Sequence, residues 1–161
     1  MNVHPLKRIH VTGIPPEGVE YTGDIMPGEF GLVEDDRLTL PNPLLYDLTL
    51  SVVSGSLLAR GSLSILVRPR CDRCLHYYDL PVEVPDFCQY FEGVSDDVFD
   101  LTDSVREDIV LALPQRLLCR DDCIGLCPIC GQNLNVRQCD CHEETQGDSV
   151  WGELDNLNLD D

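Results

Sequence analysis

The sequence predicts an α+β protein: an antiparallel β-meander or small barrel-like sheet packed by one helix, with a C-terminal cysteine-rich module. Three observations predict it. Residues 44–90 carry apolar side chains in three extended, partly alternating runs. One stretch, residues 102–113, repeats apolar side chains at helical spacing. Six of the nine cysteines fall between Cys119 and Cys141. A length of 161 residues with 43% hydrophobic content suffices for one packed core. The reading divides the chain into a mainly β domain over 1–118, a cysteine-rich module over 119–142, and an acidic tail over 143–161.

Taken in order, residues 6–12 read as a short first strand. Gly13 to Gly18, with Pro15 and Pro16, must be a loop. Residues 19–26 form a second extended piece, and the weak signal from Pro27 to Pro43 leaves room for a short strand at Arg37–Leu40. Leu44 to Val53 is rich in Leu, Val, Thr and Tyr and reads as a strand. Ser54-Gly55 is a turn. Leu57 to Val67 is the next strand, with Leu63, Ile65 and Val67 on one face and Gly61 marking a bulge or close backbone approach. Tyr77 to Tyr90 is the third, with Leu80, Val82 and Val84 alternating, and Cys88 on their face is expected to be a buried core thiol. An acidic loop spans 92–100. Thr102 is the expected N-cap of the helix, Leu101, Val105, Ile109 and Ala112 its apolar stripe, and Pro114 its end. In the tail, Val150, Trp151, Leu154 and Leu157 lie at helical spacing, so a short helix is expected there despite Gly152.

The cysteines carry the chemistry. A two-residue gap between cysteines lets one tight turn aim both sulfurs at one ion, and four thiolates hold zinc tetrahedrally at about 2.3 Å. Eight thiols make two such sites, which implies two structural zinc ions. Cys127, Cys130, Cys139 and Cys141 form one compact site. Cys71 and Cys74, in the turn between two strands, then join Cys119 and Cys123, stapling the sheet hairpin to the chain beyond the helix. An interleaved partition is also open: Cys119, Cys123, Cys127 and Cys130 on one ion, Cys71, Cys74, Cys139 and Cys141 on the other. His76 and His142 flank cysteine pairs as substitute ligands. Arg68, Arg70, Arg73, Arg120 and Arg137 are placed to offset surplus thiolate charge by hydrogen bonding around the ligands.

Charge narrows the function classes. Eleven basic residues face 29 acidic ones, for a net charge of −18. Such a chain repels phosphate backbones at long range, and its natural partners are basic. Met1 to His10 lacks the apolar run of a signal peptide, and no run approaches a membrane span. Nine cysteines in that context imply a reducing cytoplasm and metal rather than disulfides. No small-molecule substrate is expected. Cys71-Asp72-Arg73-Cys74 has redox-dithiol spacing, but it follows a strand, whereas such sites open a helix. No His-x-Glu accompanies Pro128 to give a deaminase, no glycine loop cradles phosphate, and the thiols are taken up as ligands. The expectation is a protein that is not an enzyme.

Several motifs recur together. A Cys71-x-x-Cys74 follows a strand. Asp100-Leu101-Thr102 leads into a helix ending Ile109-Val110-Leu111-Ala112-Leu113-Pro114. Then come Leu118-Cys119-x-x-x-Cys123-x-Gly125-Leu126-Cys127-Pro128-x-Cys130-Gly131-x-Asn133-Leu134-Asn135 and Cys139-x-Cys141. Over roughly residues 60–159 this resembles the bacterial YceD family, also described as large ribosomal RNA subunit accumulation proteins, with plastid relatives. The first 50 residues match loosely, through Ile14-Pro15-Pro16-Glu17-Gly18. The resemblance implies a role in accumulation or assembly of the large ribosomal subunit, without a known catalytic activity. It also implies proximity to a small, basic ribosomal protein, since family members tend to be encoded beside one. Some relatives keep the Cys-x-x-Cys pair without the Cys-Pro-x-Cys-Gly part, which favours the first partition. The expectation that follows is an acidic binding partner or chaperone of a basic ribosomal protein or of the pre-large-subunit particle. The alternative is direct ribosomal RNA binding by zinc knuckles through an arginine patch. A third reading is a structural zinc ribbon that docks on another protein.

Overall fold

The computed structural model describes residues 5–94 and 98–141. A 3-10 turn at Pro5–Lys7 precedes the two-residue strand β1 (Ile9–His10), and a second turn follows at Val11–Gly13. The expected strand over 6–12 is therefore mostly turn. The reason is the spacing of its buried residues. Leu6 and Ile9, then Val11 and Ile14, are buried three apart, which suits a 3-10 turn and not the two-residue period of extended chain. Then come β2 (Val19–Ile25), a 3-10 turn at Pro27–Phe30, β3 (Leu38–Thr39), β4 (Leu44–Val53), β5 (Ser56–Pro69), β6 (Leu80–Phe91), β7 (Val98–Phe99) and the helix α1 (Thr102–Ala112).

Strands β4, β5 and β6 form the expected antiparallel meander, and β2 lies antiparallel beside β4. The order β2-β4-β5-β6 makes β2 and β6 the edges. The short β3 joins the far end of β5 by pairing Leu38 with Pro69 and Thr39 with Arg68. β1 and β7 make a separate two-stranded ladder. Ser54 and Gly55 both take positive φ, 54° and 78°, the tight hairpin geometry whose twist matches that of the strands it joins. Along β4, Leu44, Tyr46, Leu48 and Leu50 are buried, and along β5 Leu57, Ala59, Leu63, Ile65 and Val67.

A bulge in the β5–β6 ladder corrects the expectation for Cys88. Gly61 pairs with Phe87, but Leu63 pairs with Val84, so two steps on β5 face three on β6. The extra residue reverses which face the rest of β6 presents. Before the bulge Val82 points inward; after it Phe87 does, at 2% exposure, and Cys88 is exposed. Strand β6 also starts at Leu80, later than expected. Tyr77 contributes only an isolated bridge to Arg70.

Helix α1 packs against β6 and the Pro27–Phe30 turn. Leu101, Val105 and Ile109 are fully buried. Ala112, expected in the same stripe, is exposed, and Leu113 packs against the core instead. Pro114 is the reason: the residue before a proline is driven out of the helical region, and Leu113 is extended at ψ 133°. The cap also differs. Thr102 is the first helical residue, and Asp100 Oδ1 accepts from its backbone N at 2.9 Å and its Oγ1 at 2.7 Å. No described helix is long and apolar enough to cross a membrane. The expected tail helix at Val150, Trp151, Leu154 and Leu157 lies outside the described residues, with the whole 143–161 tail, His4, His142 and part of the 92–100 loop.

Candidate metal centre

Strand β5 delivers the first pair of thiols. The ladder runs on through the Arg70–Tyr77 bridge, and Tyr78 N donates to Pro69 O at 3.1 Å. At its tip Cys71 N donates to His76 O and Leu75 N to Cys71 O, each at 2.9 Å. This folds Cys71 and Cys74 into one knuckle, with Leu75 at φ 59°. Beyond Pro114 the chain returns to meet it. Asp72 grips the returning chain twice: its backbone N donates to Leu117 O at 2.8 Å, and Oδ2 accepts from Leu117 N at 2.9 Å. Arg37 Nη2 donates to the other carboxylate oxygen at 3.0 Å. Cys119 and Cys123 thereby arrive against the knuckle, and Tyr78, Leu118 and Leu126 cover the cluster.

The eight thiols fall into two groups: Cys71, Cys74, Cys119 and Cys123, then Cys127, Cys130, Cys139 and Cys141. Within each, all four sulfurs lie within 4.8 Å of one another. This is the grouping that follows chain geometry, and the interleaved one does not form. In the first group Cys71 Sγ lies 3.8 Å from Cys123 Sγ, and Cys74 Sγ lies 3.7 Å from Cys119 Sγ. A disulfide needs about 2.05 Å. A tetrahedron of sulfurs about 2.3 Å from a central ion has edges of about 3.8 Å, so the first group has the dimensions of a metal shell. His76 belongs to neither group.

The groups differ in exposure. Cys71, Cys74 and Cys123 are buried; in the second group only Cys127 is, while Cys130 and Cys141 are exposed. The second group is built by its own knuckle. Cys127 N donates to Gln132 O at 2.8 Å, and Gly131 N to Cys127 O at 2.9 Å, with Leu126 bridged to Asn133.

Electrostatics explain why each group suits a cation. Burial raises the Cys71 thiol, but the backbone N–H groups of Cys74, Cys119 and Arg73 outweigh it and draw Cys71 down to about 6. Cys119 is pushed up to about 12 by burial and by its bonds to Cys74, Cys123 and Cys71. In the second group the N–H groups of Cys130 and Ile129 bring Cys127 down to about 6. Cys141 is pushed up to about 12 by the Cys130 sulfur, then by burial and Cys139. Each group thus ionises one sulfur readily and resists ionising another, because burial and the neighbouring sulfurs both oppose a second negative charge. A divalent cation held by these four sulfurs would offset that resistance and favour the thiolate form of each ligand.

The arginines are arranged otherwise than expected. Arg68 pairs with Asp79 at 2.8 Å and Arg120 with Asp122 at 3.2 Å. Arg70 and Arg73 donate to the carbonyls of Leu75 and Cys123. Among the described residues the side-chain amide that reaches a sulfur is Asn135, whose Nδ2 donates to Cys123 Sγ at 3.3 Å. Asn135 and Asp72 escape a reading by composition. Asn133-Leu134-Asn135 signals only a turn, and Asp72 is merely a spacer between two ligands.

The family described as "Large ribosomal RNA subunit accumulation protein YceD" matches residues 89–158. That span holds α1 and the six later cysteines and begins beyond Cys71 and Cys74. The chain is 38% identical over 58 residues to "Large ribosomal RNA subunit accumulation protein YCED homolog 1, chloroplastic" of Arabidopsis thaliana, over 36% of this chain and 18% of that protein. It is 26% identical over 130 residues to an uncharacterized protein of Mycobacterium leprae, over 71% of this chain and 59% of that one. It is 30% identical over 145 residues to an uncharacterized protein of Mycobacterium tuberculosis, covering 80% of this chain and 68% of the relative. The chain thus spans less than two thirds of the first two relatives. No solved structure matches it.

Proposed function

The chain belongs to the YceD family, and from that premise we propose that it supports accumulation of large-subunit ribosomal RNA as a non-catalytic assembly factor of the cytoplasm. In this reading two structural zinc ions hold the fold, and the acidic surface receives a basic ribosomal protein of the large subunit. The ions act as staples. One joins the β5–β6 hairpin to the chain beyond α1, and the other closes the loop after it. Four sulfurs complete a tetrahedral shell, which leaves no position for a reactive water. Zinc suits sulfur-only tetrahedral shells of this size.

The observation that carries the choice of partner is the state of the charges. The chain holds 29 acidic residues against 11 basic ones. Of the five arginines near the thiols, two are in ion pairs with aspartates and two donate to backbone carbonyls of the knuckles. Guanidinium groups committed in this way make a poor phosphate-reading patch, which weighs against direct RNA binding. Opposed net charges instead favour fast capture of a basic protein at low salt.

The test is capture of the tagged protein from its own cells at low salt, with half the sample treated with nuclease. A basic ribosomal protein retained in both halves, and released steeply as salt rises, is expected. Capture lost on nuclease treatment would replace this reading with RNA binding. Metal content is measured on the same preparation, with two zinc ions per chain expected.

A further inference from the structure

We propose that the two thiol groups are coupled, and that Asn135 is the positioning residue that joins them. The proposal rests on the reading that both groups hold metal. Asn135 lies between Cys130 and Cys139 in the chain, inside the loop that the second group closes. Yet its Nδ2 donates to Cys123 Sγ, a ligand of the first, at 3.3 Å.

The amide is held in that orientation. Oδ1 accepts from Ile124 N at 2.9 Å and from Arg120 Nη2 at 2.8 Å. With two donors on the oxygen, the nitrogen must be the atom that faces the sulfur. Nδ2 and the backbone N of Asn135 both donate to Asn133 Oδ1, at 2.9 and 3.0 Å. The segment between the groups is gripped on both sides. Leu134 N donates to Gly125 O at 2.9 Å from the second-group loop. Arg73 Nη1 donates to Cys123 O at 2.8 Å from the first-group knuckle. Gly125, at φ 94°, lies so close to Arg73 that an added Cβ would sit 3.2 Å from its carbonyl oxygen. The left-handed backbone there favours glycine, and a side chain would have to press the Arg73 backbone back by a few tenths of an ångström.

The chemistry follows from charge. Four thiolates around a divalent ion leave about two surplus negative charges. An N–H donor to one sulfur stabilises that charge and fixes the ligand's direction. An ion in the second group holds the loop that carries this donor. Filling the second site therefore tightens the first, and by linkage filling the first tightens the second by the same factor.

The experiment loads the full chain with the magnetic isotope of cadmium, whose NMR spectrum gives one resonance per site, and follows the decay of each resonance as excess NMR-silent cadmium replaces it, so that the second site stays filled while the first exchanges. Removing the second site with Cys127→Ser and Cys130→Ser is expected to speed cadmium loss from the first site about tenfold. Asn135→Ala is expected to do the same with all eight thiols in place. Combining the changes should add nothing further, because both remove one interaction. A merely structural asparagine would add its own effect to that of the cysteine pair, and that additivity overturns the proposal. So does an unchanged first-site rate in the cysteine-pair variant, a comparison that stands even if Asn135→Ala fails to fold. Two resonances with independent rates sink the coupling alone, whereas failure to bind cadmium sinks the metal reading with it.

Discussion

Gly61 and Cys88 show how much a single position depends on its neighbours across the sheet. A side chain at Gly61 would collide with the carbonyl of Asp47 on β4, and the residue's φ is 154°. Gly28, by contrast, has open space where a Cβ would go. Gly61→Ala is therefore expected to destabilise the fold by about 3 kcal/mol or more, and Gly28→Ala by less than about 1 kcal/mol. Urea unfolding of the two variants checks this, and equal midpoints would contradict the close approach. Cys88 lies exposed on the outer face of β6. Cys88→Ser should shift stability by no more than about 0.5 kcal/mol, and a maleimide should label Cys88 in the metal-loaded protein while the eight ligand thiols stay protected. A loss of several kcal/mol would restore the core-thiol reading.

Among the elements, the two knuckles sit on different supports. The first hangs from the longest strand, β5, and is clamped by Asp72 and covered by Tyr78, Leu118 and Leu126. The second is a local loop with two exposed sulfurs. A chelator attacks a site through whichever ligands it reaches, so metal should leave the second group well before the first. Release followed with a coloured chelator is expected to be biphasic, one ion in each phase. Cys139→Ser should abolish the fast phase, and loss of the slow phase instead would reverse the assignment. Asp72→Ala removes the side-chain half of the grip on Leu117 and the contact with Arg37. With that carboxylate partly exposed, the expected cost is about 1 kcal/mol, read as faster release in the slow phase.

Across the whole molecule, acidity and metal loading are linked. Cys71 and Cys127 ionise at about 6, while Cys119 and Cys141 are held protonated up to about 12. At pH 7 Cys71 and Cys127 are already thiolates, whereas Cys74 and Cys119 in one group and Cys139 and Cys141 in the other are held protonated. Uptake of an ion should then displace at least about two protons per group. Calorimetry in buffers of differing ionisation heat measures this number. Affinity must fall as pH falls, because protons compete for every sulfur. The fall steepens below about 6, where the thiolates of Cys71 and Cys127 also take up protons. A pH-independent affinity would exclude thiolate ligation. The acidic remainder of the surface does not enter that balance. It acts on the partner, through the salt dependence already described.

The sequence by itself determined the meander, the helix and the identity of the thiols. Strand alternation at β4 and β5, the stripe Leu101, Val105 and Ile109, and cysteine spacing are local signals, each fixed by residues within a turn or two of one another. Tertiary structure decided what depends on register and on distant chain. The bulge opposite Gly61 turned Cys88 outward, since one added residue inverts every face beyond it. The return of the chain beyond Pro114 chose which cysteines meet, because Asp72 fixes Leu117 against the knuckle. Asn135 became the neighbour of Cys123 for the same reason: a hydrogen bond across 12 residues depends on how two loops pack and leaves no mark in local spacing.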